Sequence, residues 1–290
     1  MKKIGFIGLG NMGTKMVENL LKNNYEVIGY DIIEKFGEEL LSKGMKKASN
    51  LNDIPNNIDV IITMLPNGDI VEEVYNNIMN NFKPSTLFVD CSTIDVDKAR
   101  DLNKKCEDRN FLFLDAPVSG GVGGAEAGTL TFMVGGSNHA YEKMLPLFEA
   151  MGSKSVLCGP PSSGQASKAC NNMLLATTMI GLGETLSLAS NLGLDPKKLF
   201  EILSTSTGSC WAVNNYFPIM GVGPKSPADN NFQPGFSAKL MLKDLTIALK
   251  AVANTNTSAP FGIKSQKNFQ KMVESNKGSL DFSAITNFNK

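Results

Sequence analysis

The sequence predicts an α/β domain built on a mostly parallel, doubly wound sheet, then an all-α C-terminal domain, with one long helix linking the two. Short apolar runs alternate with helical patterns through the first half of the chain, as successive βα units do. Gly164 to Gly193 is a continuous run of mostly small and apolar residues whose only interior breakers are Gly181 and Gly183, the pattern of one largely buried helix. Beyond it the spacing stays helical and no strand pattern stands out. At 290 residues the chain exceeds a usual single core, so two domains are expected, spanning 1–162 and 163–290.

Composition narrows the function classes. Lys+Arg and Asp+Glu are equal at 28 each, which gives no electrostatic case for nucleic acid or an anionic membrane as partner. A hydrophobic fraction of 42% is ordinary for a soluble protein, and no segment is expected to span a membrane. Cys91, Cys106, Cys158, Cys170 and Cys210 are odd in number, scattered and never spaced as CxxC, which argues against a disulfide framework or a zinc site and for a reducing compartment. A strand pattern begins within MKKIGFIGLG, so no signal or transit peptide is visible. The expected location is the cytoplasm, or the mitochondrial matrix if a transit peptide has been removed.

The apolar run Ile4 to Ile7 ends in Gly8-Leu9-Gly10-Asn11-Met12-Gly13, and helical spacing follows from Met12 to Leu21. Strand, GxGxxG, helix is the Rossmann arrangement: the glycines allow a tight turn and close approach of a pyrophosphate, which sits on the helix N-terminus. The next strand, Glu26 to Tyr30, closes on Asp31, about 18 residues past Gly13 and near where such a unit places its ribose-binding acid. A carboxylate there accepts from the adenosine ribose hydroxyls and repels a 2′-phosphate. Ile32 and Ile33 offer no compensating Arg, so NAD is expected over NADP.

Strands are then expected at Val60 to Leu65, Leu87 to Asp90 and Phe111 to Leu114, with helices around Asp69 to Asn80 and Asp95 to Glu107. Their ends carry Leu65-Pro66, Cys91-Ser92-Thr93 and Asp115-Ala116-Pro117-Val118-Ser119. Ligands of open α/β sheets bind beyond the carboxyl ends of the strands, so these loops should face the nicotinamide end of the cofactor. Ser119 to Gly128 is too glycine-rich to hold a helix or strand cheaply. It reads either as a backbone nest that holds a substrate carboxylate, aided by the Ser119 hydroxyl, or as a flexible connector. A strand Leu130 to Val134, a helix Asn138 to Met151 and a strand Ser155 to Cys158 follow, and Pro160 to Gly164 marks the boundary.

On the long helix Lys168 and Asn172 lie four residues apart and so share a face. Both are polar on an element suited to burial, and burial is one way to bring a lysine amine toward neutrality for proton exchange; a snorkelling lysine at a helix start is the bland alternative. Asp195-Pro196 caps the next helix, through Leu203. A small polar link, Thr205 to Ser209, precedes Trp211, and Pro218 to Gly235 is irregular before helical spacing returns over Ser237 to Ala253 and again within Thr257 to Ser275. Lys239 and Lys243 lie four apart and read on spacing alone as a solvated face. The single histidine, His139, sits at the start of a surface helix, so proton transfer must fall to another group.

FIGLGNMG from Phe6 to Gly13, DAPVSGGVGGAEAGTL from Asp115 to Leu130 and GQASKACNNM from Gly164 to Met173 together resemble the β-hydroxyacid dehydrogenase family. The likeness spans nearly the whole chain, including Leu242-Lys243-Asp244-Leu245 and Leu280-Asp281-Phe282-Ser283. It implies a Rossmann domain and a helical domain, an active site in the cleft, and a homodimer or homotetramer. It further implies Lys168 as the general acid/base, Asn172 as the amide beside it, and Ser119, Gly120 and Gly121 as the carboxylate loop. Leu65, Pro66, Thr93 and Lys243 would join Gly8 to Gly13 and Asp31 at the cofactor. Ser204 to Trp211 and Asp229 to Phe236 are similar to the branch that oxidises 3-hydroxyisobutyrate in valine degradation, with Trp211 and Phe236 at the substrate. Ser209 departs from relatives that carry a larger basic residue there. The rival readings are a tartronate or succinic semialdehyde reductase and a non-catalytic dinucleotide-binding scaffold; Lys168 and Asn172 together argue against the latter.

Overall fold

The alternating apolar runs pair into a nine-stranded sheet. The computed structural model describes residues 2–288, and the chain divides into a unit ending at Lys168 and a unit beginning at Ala169. The first unit holds β1 (Lys3–Ile7), β2 (Glu26–Tyr30), β3 (Lys46–Lys47), β4 (Val60–Thr63), β5 (Leu87–Asp90), β6 (Leu112–Asp115), β7 (Val118–Ser119), β8 (Leu130–Gly136) and β9 (Gly152–Gly159). The order is β3-β2-β1-β4-β5-β6-β8-β7, with β9 paired to β8. Pairing is parallel from β3 across to β6 and between β8 and β9, and antiparallel where β8 meets β6 and β7. The order reverses beside β1, the switch point at which such sheets bind ligands.

Burial on both faces follows from the period of two. Ile4, Phe6, Val60, Ile62, Leu87 and Val89 pack with residues of α1 (Asn11–Lys22) in one core, while Ile7, Ile61 and Phe88 pack in the other. α2 (Glu38–Leu41) lies between β2 and β3 in the chain. α3 (Gly68–Ile78) and α4 (Val96–Glu107) fill the second core with Val71, Tyr75 and Leu102. α5 (Gly121–Ala127) and α6 (Asn138–Met151) return to the first, with Ala125, Leu147 and Phe148.

The glycine-rich segment corrects the expectation that it is too costly for regular structure. β7 and α5 form there because the neighbours pay the conformational cost: Asn19 of α1 donates to the Ala125 carbonyl at 2.6 Å, and Lys15 meets Glu126 at 3.2 Å. β6 and β7 run along β8 without a register slip across Ala116-Pro117, so strand pairing fixes Ser119 opposite Thr131.

α7 (Ser163–Asn191) runs 29 residues, through the division between the units. By length and composition alone it is long and apolar enough to cross a membrane. Its apolar character has a local reason: Ala176, Met179, Ile180 and Leu182 lie in the core of the second unit. Gly183 is needed where Thr286 approaches, since a Cβ would come within 2.9 Å of its Cα. α8 (Pro196–Thr205) is capped by Asp195, whose carboxylate accepts the Lys197 and Lys198 N–H groups at 2.8 and 3.2 Å. α9 (Trp211–Tyr216) is a short helix just past the expected Thr205 to Ser209 link, where the sequence pattern marks no element. α10 (Ala238–Asn254), α11 (Pro260–Met272) and α12 (Ile285–Phe288) complete a core with Phe217, Met241, Leu245, Phe269 and Ile285.

At the end of β5 the fully buried Asp90 accepts from Thr63 Oγ1 at 2.8 Å and the Ser92 N–H at 3.1 Å, while its Oδ2 has no partner among the described residues. Burial pushes this carboxyl up to about 6. Folding therefore favours the neutral acid: the stabilisation is complete below the ordinary carboxylate range and is lost as pH rises through about 6. Asp90→Asn should remove this dependence. In urea melts at pH 4 and pH 8, the variant should gain roughly 2–3 kcal/mol on the parent at the higher pH.

Candidate active site

The Gly8 to Gly13 segment forms the turn after β1 and the first turn of α1, and its three glycines are required for different reasons. Gly8 has φ +100 and a Cβ there would lie 2.2 Å from the Met64 carbonyl oxygen; at Gly13 a Cβ would lie 1.8 Å from that of Gly8. Gly10 differs, because nothing lies within 4 Å of its hypothetical Cβ. No side chain caps α1, so its first N–H groups are left to other acceptors. An open face at Gly10 beside an uncapped helix start fits a pyrophosphate. Asp31 lies beyond β2, with Oδ2 accepting the Leu9 N–H at 2.7 Å and Oδ1 accepting the Ile33 N–H at 2.8 Å. Each carboxylate oxygen keeps a further lone pair, enough for a ribose hydroxyl.

Hydrogen bonds stitch the strand-end loops together. Leu65 N–H donates to Ser92 Oγ at 2.8 Å, tying the turn after β4, which carries Pro66, to the turn after β5. Gln165 Nε2 donates to the Ser92 carbonyl at 2.7 Å, and Gln165 Oε1 accepts the Ile94 N–H at 3.1 Å, so one side chain holds both neighbours of Thr93. Asp115, at the end of β6, accepts the Ser162 and Gln165 N–H groups at 2.7 and 2.8 Å, which supplies the start of α7 with its acceptor. Lys168 follows Gln165 by three residues and is 8% exposed. Ser119 is half-buried, Gly120 has φ +133, and Gly121 opens α5, which no side chain caps.

The second unit groups the other expected residues. Asn172, four residues past Lys168, is buried; its Nδ2 donates to Asp244 Oδ2 at 2.5 Å and its Oδ1 accepts from Asn171 at 2.9 Å. Lys243 Nζ lies 3.4 Å from Asp244 Oδ1, so one buried carboxylate serves both the amide and the ammonium. Removing it would leave the buried Asn172 amide without that acceptor, a cost of about 1–3 kcal/mol. Trp211 is half-exposed and stacks on Tyr216, with ring centres 5.0 Å apart; Tyr216 stacks on Phe282 at 5.4 Å, and Phe236 meets Phe282 edge-on at 5.8 Å. Asp281 Oδ2 accepts from Tyr216 Oη at 3.1 Å and from the Gly235 and Phe236 N–H groups at 3.0 and 3.1 Å. Trp211 and Phe236 are thus ends of one aromatic chain fixed at a buried acid. Lys239 and His139 are exposed.

Asp115, Gln165, Asp244 and Asp281 lie within the sequence motifs, yet no spacing in the sequence assigns any of them a role. The signal present was a polar residue inside an otherwise apolar or glycine-rich run; nothing local says which backbone groups such a side chain will reach.

A glycine turn at the switch point of a parallel sheet, with an acid at the end of the second strand, is the arrangement that nicotinamide-dependent oxidoreductases use to hold a dinucleotide. Residues 3–159 match the family model for the NAD binding domain of 6-phosphogluconate dehydrogenase. Residues 162–288 match that for the NAD-binding domain of NADP-dependent 3-hydroxyisobutyrate dehydrogenase. The probable 3-hydroxyisobutyrate dehydrogenase of Mycobacterium tuberculosis H37Rv is 42% identical over 285 residues, 98% of this chain and 97% of that one. The mitochondrial 3-hydroxyisobutyrate dehydrogenase of Drosophila melanogaster is 41% identical over 98% of this chain and 88% of its own. The solved structure of the Mycobacterium tuberculosis 3-hydroxyisobutyrate dehydrogenase with L-serine superposes with a TM-score of 0.95 at 41% identity, covering 100% of this chain and 99% of that one. The chain belongs to the 3-hydroxyisobutyrate dehydrogenase family, and it is an oxidoreductase that uses a nicotinamide dinucleotide.

Proposed function

We propose that the chain oxidises 3-hydroxyisobutyrate to methylmalonate semialdehyde, with NAD as acceptor, in valine degradation. The observation that carries the chemistry is Lys168, buried on the turn of α7 that Gln165 ties to the loop around Thr93. Ser119 Oγ and the N–H groups of Gly120 and Gly121 hold the substrate carboxylate. Lys168, as the neutral amine, takes the hydroxyl proton, and Asn172, held by Asp244, orients the substrate oxygen. Bound nicotinamide supplies the hydride acceptor. Thr93, Leu65 and Pro66 contact its ring side, Lys243 serves the cofactor, and Trp211 and Phe236 shape the site around the methyl-bearing carbon. We place the reaction in the cytoplasm or the mitochondrial matrix, in keeping with five unpaired cysteines.

Asp31 favours NAD, although the family description for residues 162–288 names an NADP-dependent enzyme. A 2′-phosphate would meet a carboxylate already anchored by Leu9 and Ile33. One assay tests both choices: NADH production with 3-hydroxyisobutyrate, L-serine and 4-hydroxybutyrate. The first substrate should give the highest kcat/KM, and NAD should exceed NADP by roughly tenfold or more, the equivalent of about 1.4 kcal/mol. L-serine belongs in the panel because the Mycobacterium tuberculosis relative was solved with it. A higher kcat/KM with 4-hydroxybutyrate would assign the chain to the semialdehyde reductases instead.

A homodimer or homotetramer is part of the same reading. Leu174, Gly181, Thr185 and Leu188 form an exposed stripe along α7 that continues to Leu192, and nothing lies within 4 Å of a Cβ at Gly181, which leaves room for the backbone of a second copy. Light scattering should return a multiple of 31.2 kDa, and Leu188→Glu should lower it.

A further inference from the structure

We propose that Gln165 is a positioning residue that locks Thr93 to the turn of α7 carrying Lys168, keeping the cofactor-side contact and the proton-transferring amine in one fixed register. This rests on the reading of Lys168 given above.

The start of α7 is built to hold Gln165 still. Ser162 has φ +75, a left-handed conformation uncommon for a residue with a side chain, and its N–H donates to Asp115 Oδ1. The Gln165 N–H donates to Oδ2 of the same fully buried carboxylate. Two glycines let the backbone close around it. A Cβ at Gly164 would lie 2.3 Å from the Met133 carbonyl oxygen and 2.6 Å from that of Asp115; one at Gly135 would lie 2.4 Å from Asp115 Oδ1. The main chain of Gln165 therefore has little room to move relative to β6 and β8.

From that anchored backbone the side chain is 1% exposed and reaches the turn after β5. Its carboxamide uses its acceptor on the Ile94 N–H and a donor on the Ser92 carbonyl, the two peptide groups that flank Thr93. A carboxamide offers both an acceptor and a donor in that plane without carrying charge. Ser92 passes the constraint on, because its hydroxyl accepts the Leu65 N–H. Three loops that were expected to face the cofactor are thus referenced to one helical turn, and Lys168 leaves that helix three residues later. Small displacements of reacting groups are costly: about 1 Å can cost of the order of 10²-fold.

The test compares Gln165→Met, which keeps the length and loses both hydrogen bonds, with Gln165→Glu, which keeps the acceptor for Ile94 and loses the donor to Ser92. Gln165→Met should lower kcat by about 10–100-fold while NAD affinity, read by fluorescence titration, stays within about threefold. The deuterium isotope effect on kcat with substrate labelled at the hydroxyl-bearing carbon should rise, and the Ile94 amide should exchange faster. Gln165→Glu should recover part of the loss, and it serves alone if Gln165→Met does not fold. A kcat within about twofold of the parent, or a loss shared equally by NAD affinity, would overturn the proposal. Lys168→Ala, run alongside, separates the two ideas: turnover retained there removes the amine that Gln165 is said to serve, whereas turnover lost there and kept in Gln165→Met removes only the positioning role.

Discussion

Lys168→Ala is expected to lose about 10²–10⁴-fold in kcat, the usual consequence of removing a general acid/base. NAD affinity should hardly change, because the Gly8 to Gly13 loop and Asp31 lie elsewhere on the sheet and their hydrogen bonds do not involve α7. The fold should survive. Lysine to alanine removes a long side chain from a site 8% exposed, while the helix start remains held by Asp115. Added small primary amines should restore part of the rate if a neutral amine is what is missing. A variant that turns over at more than about a tenth of the parental rate would reject the assignment.

Gly10→Val should leave the folded protein nearly as stable as the parent and abolish dinucleotide binding. The reason is the contrast among the three glycines: side chains at Gly8 and Gly13 collide with backbone oxygens at 2.2 and 1.8 Å, whereas at Gly10 they enter empty space. A valine there can be accommodated by the protein, and it fills the volume a pyrophosphate needs. Thermal melts within a few degrees of the parent, together with an NAD affinity weakened by about 100-fold or more, roughly 2.7 kcal/mol, would bear this out. Gly13→Val should instead lower the melting temperature. If Gly10→Val bound NAD normally, the loop would not be the phosphate site.

Much of the fold was legible because its signals are local or periodic. β2 and β5 and the helix Asn138 to Met151 fall where the spacing put them, and the glycine loop falls between strand and helix as expected. α5 was not legible, since seven residues with three glycines form a helix here only through contacts with α1 a hundred positions away in the chain. α9 escaped for a related reason: six residues give too few turns for a period, and its place is set by Ala212 and Val213 in the core of the second unit. Of the candidate site, the residues carried by glycine spacing and strand ends could be read directly. The buried acids Asp115, Asp244 and Asp281 could not, because each acts on backbone or side chains from another part of the chain.

The sheet also limits how these molecules meet. One border is β3, two residues long, and the other is β9, whose pairing with β8 breaks register twice, at Leu130/Thr131 and at Val134/Gly135, and which exposes Lys154. Neither border presents the long, flat, uncharged rim that strand-by-strand polymerisation requires. A chain crowded at high concentration is thereby steered away from fibrous growth.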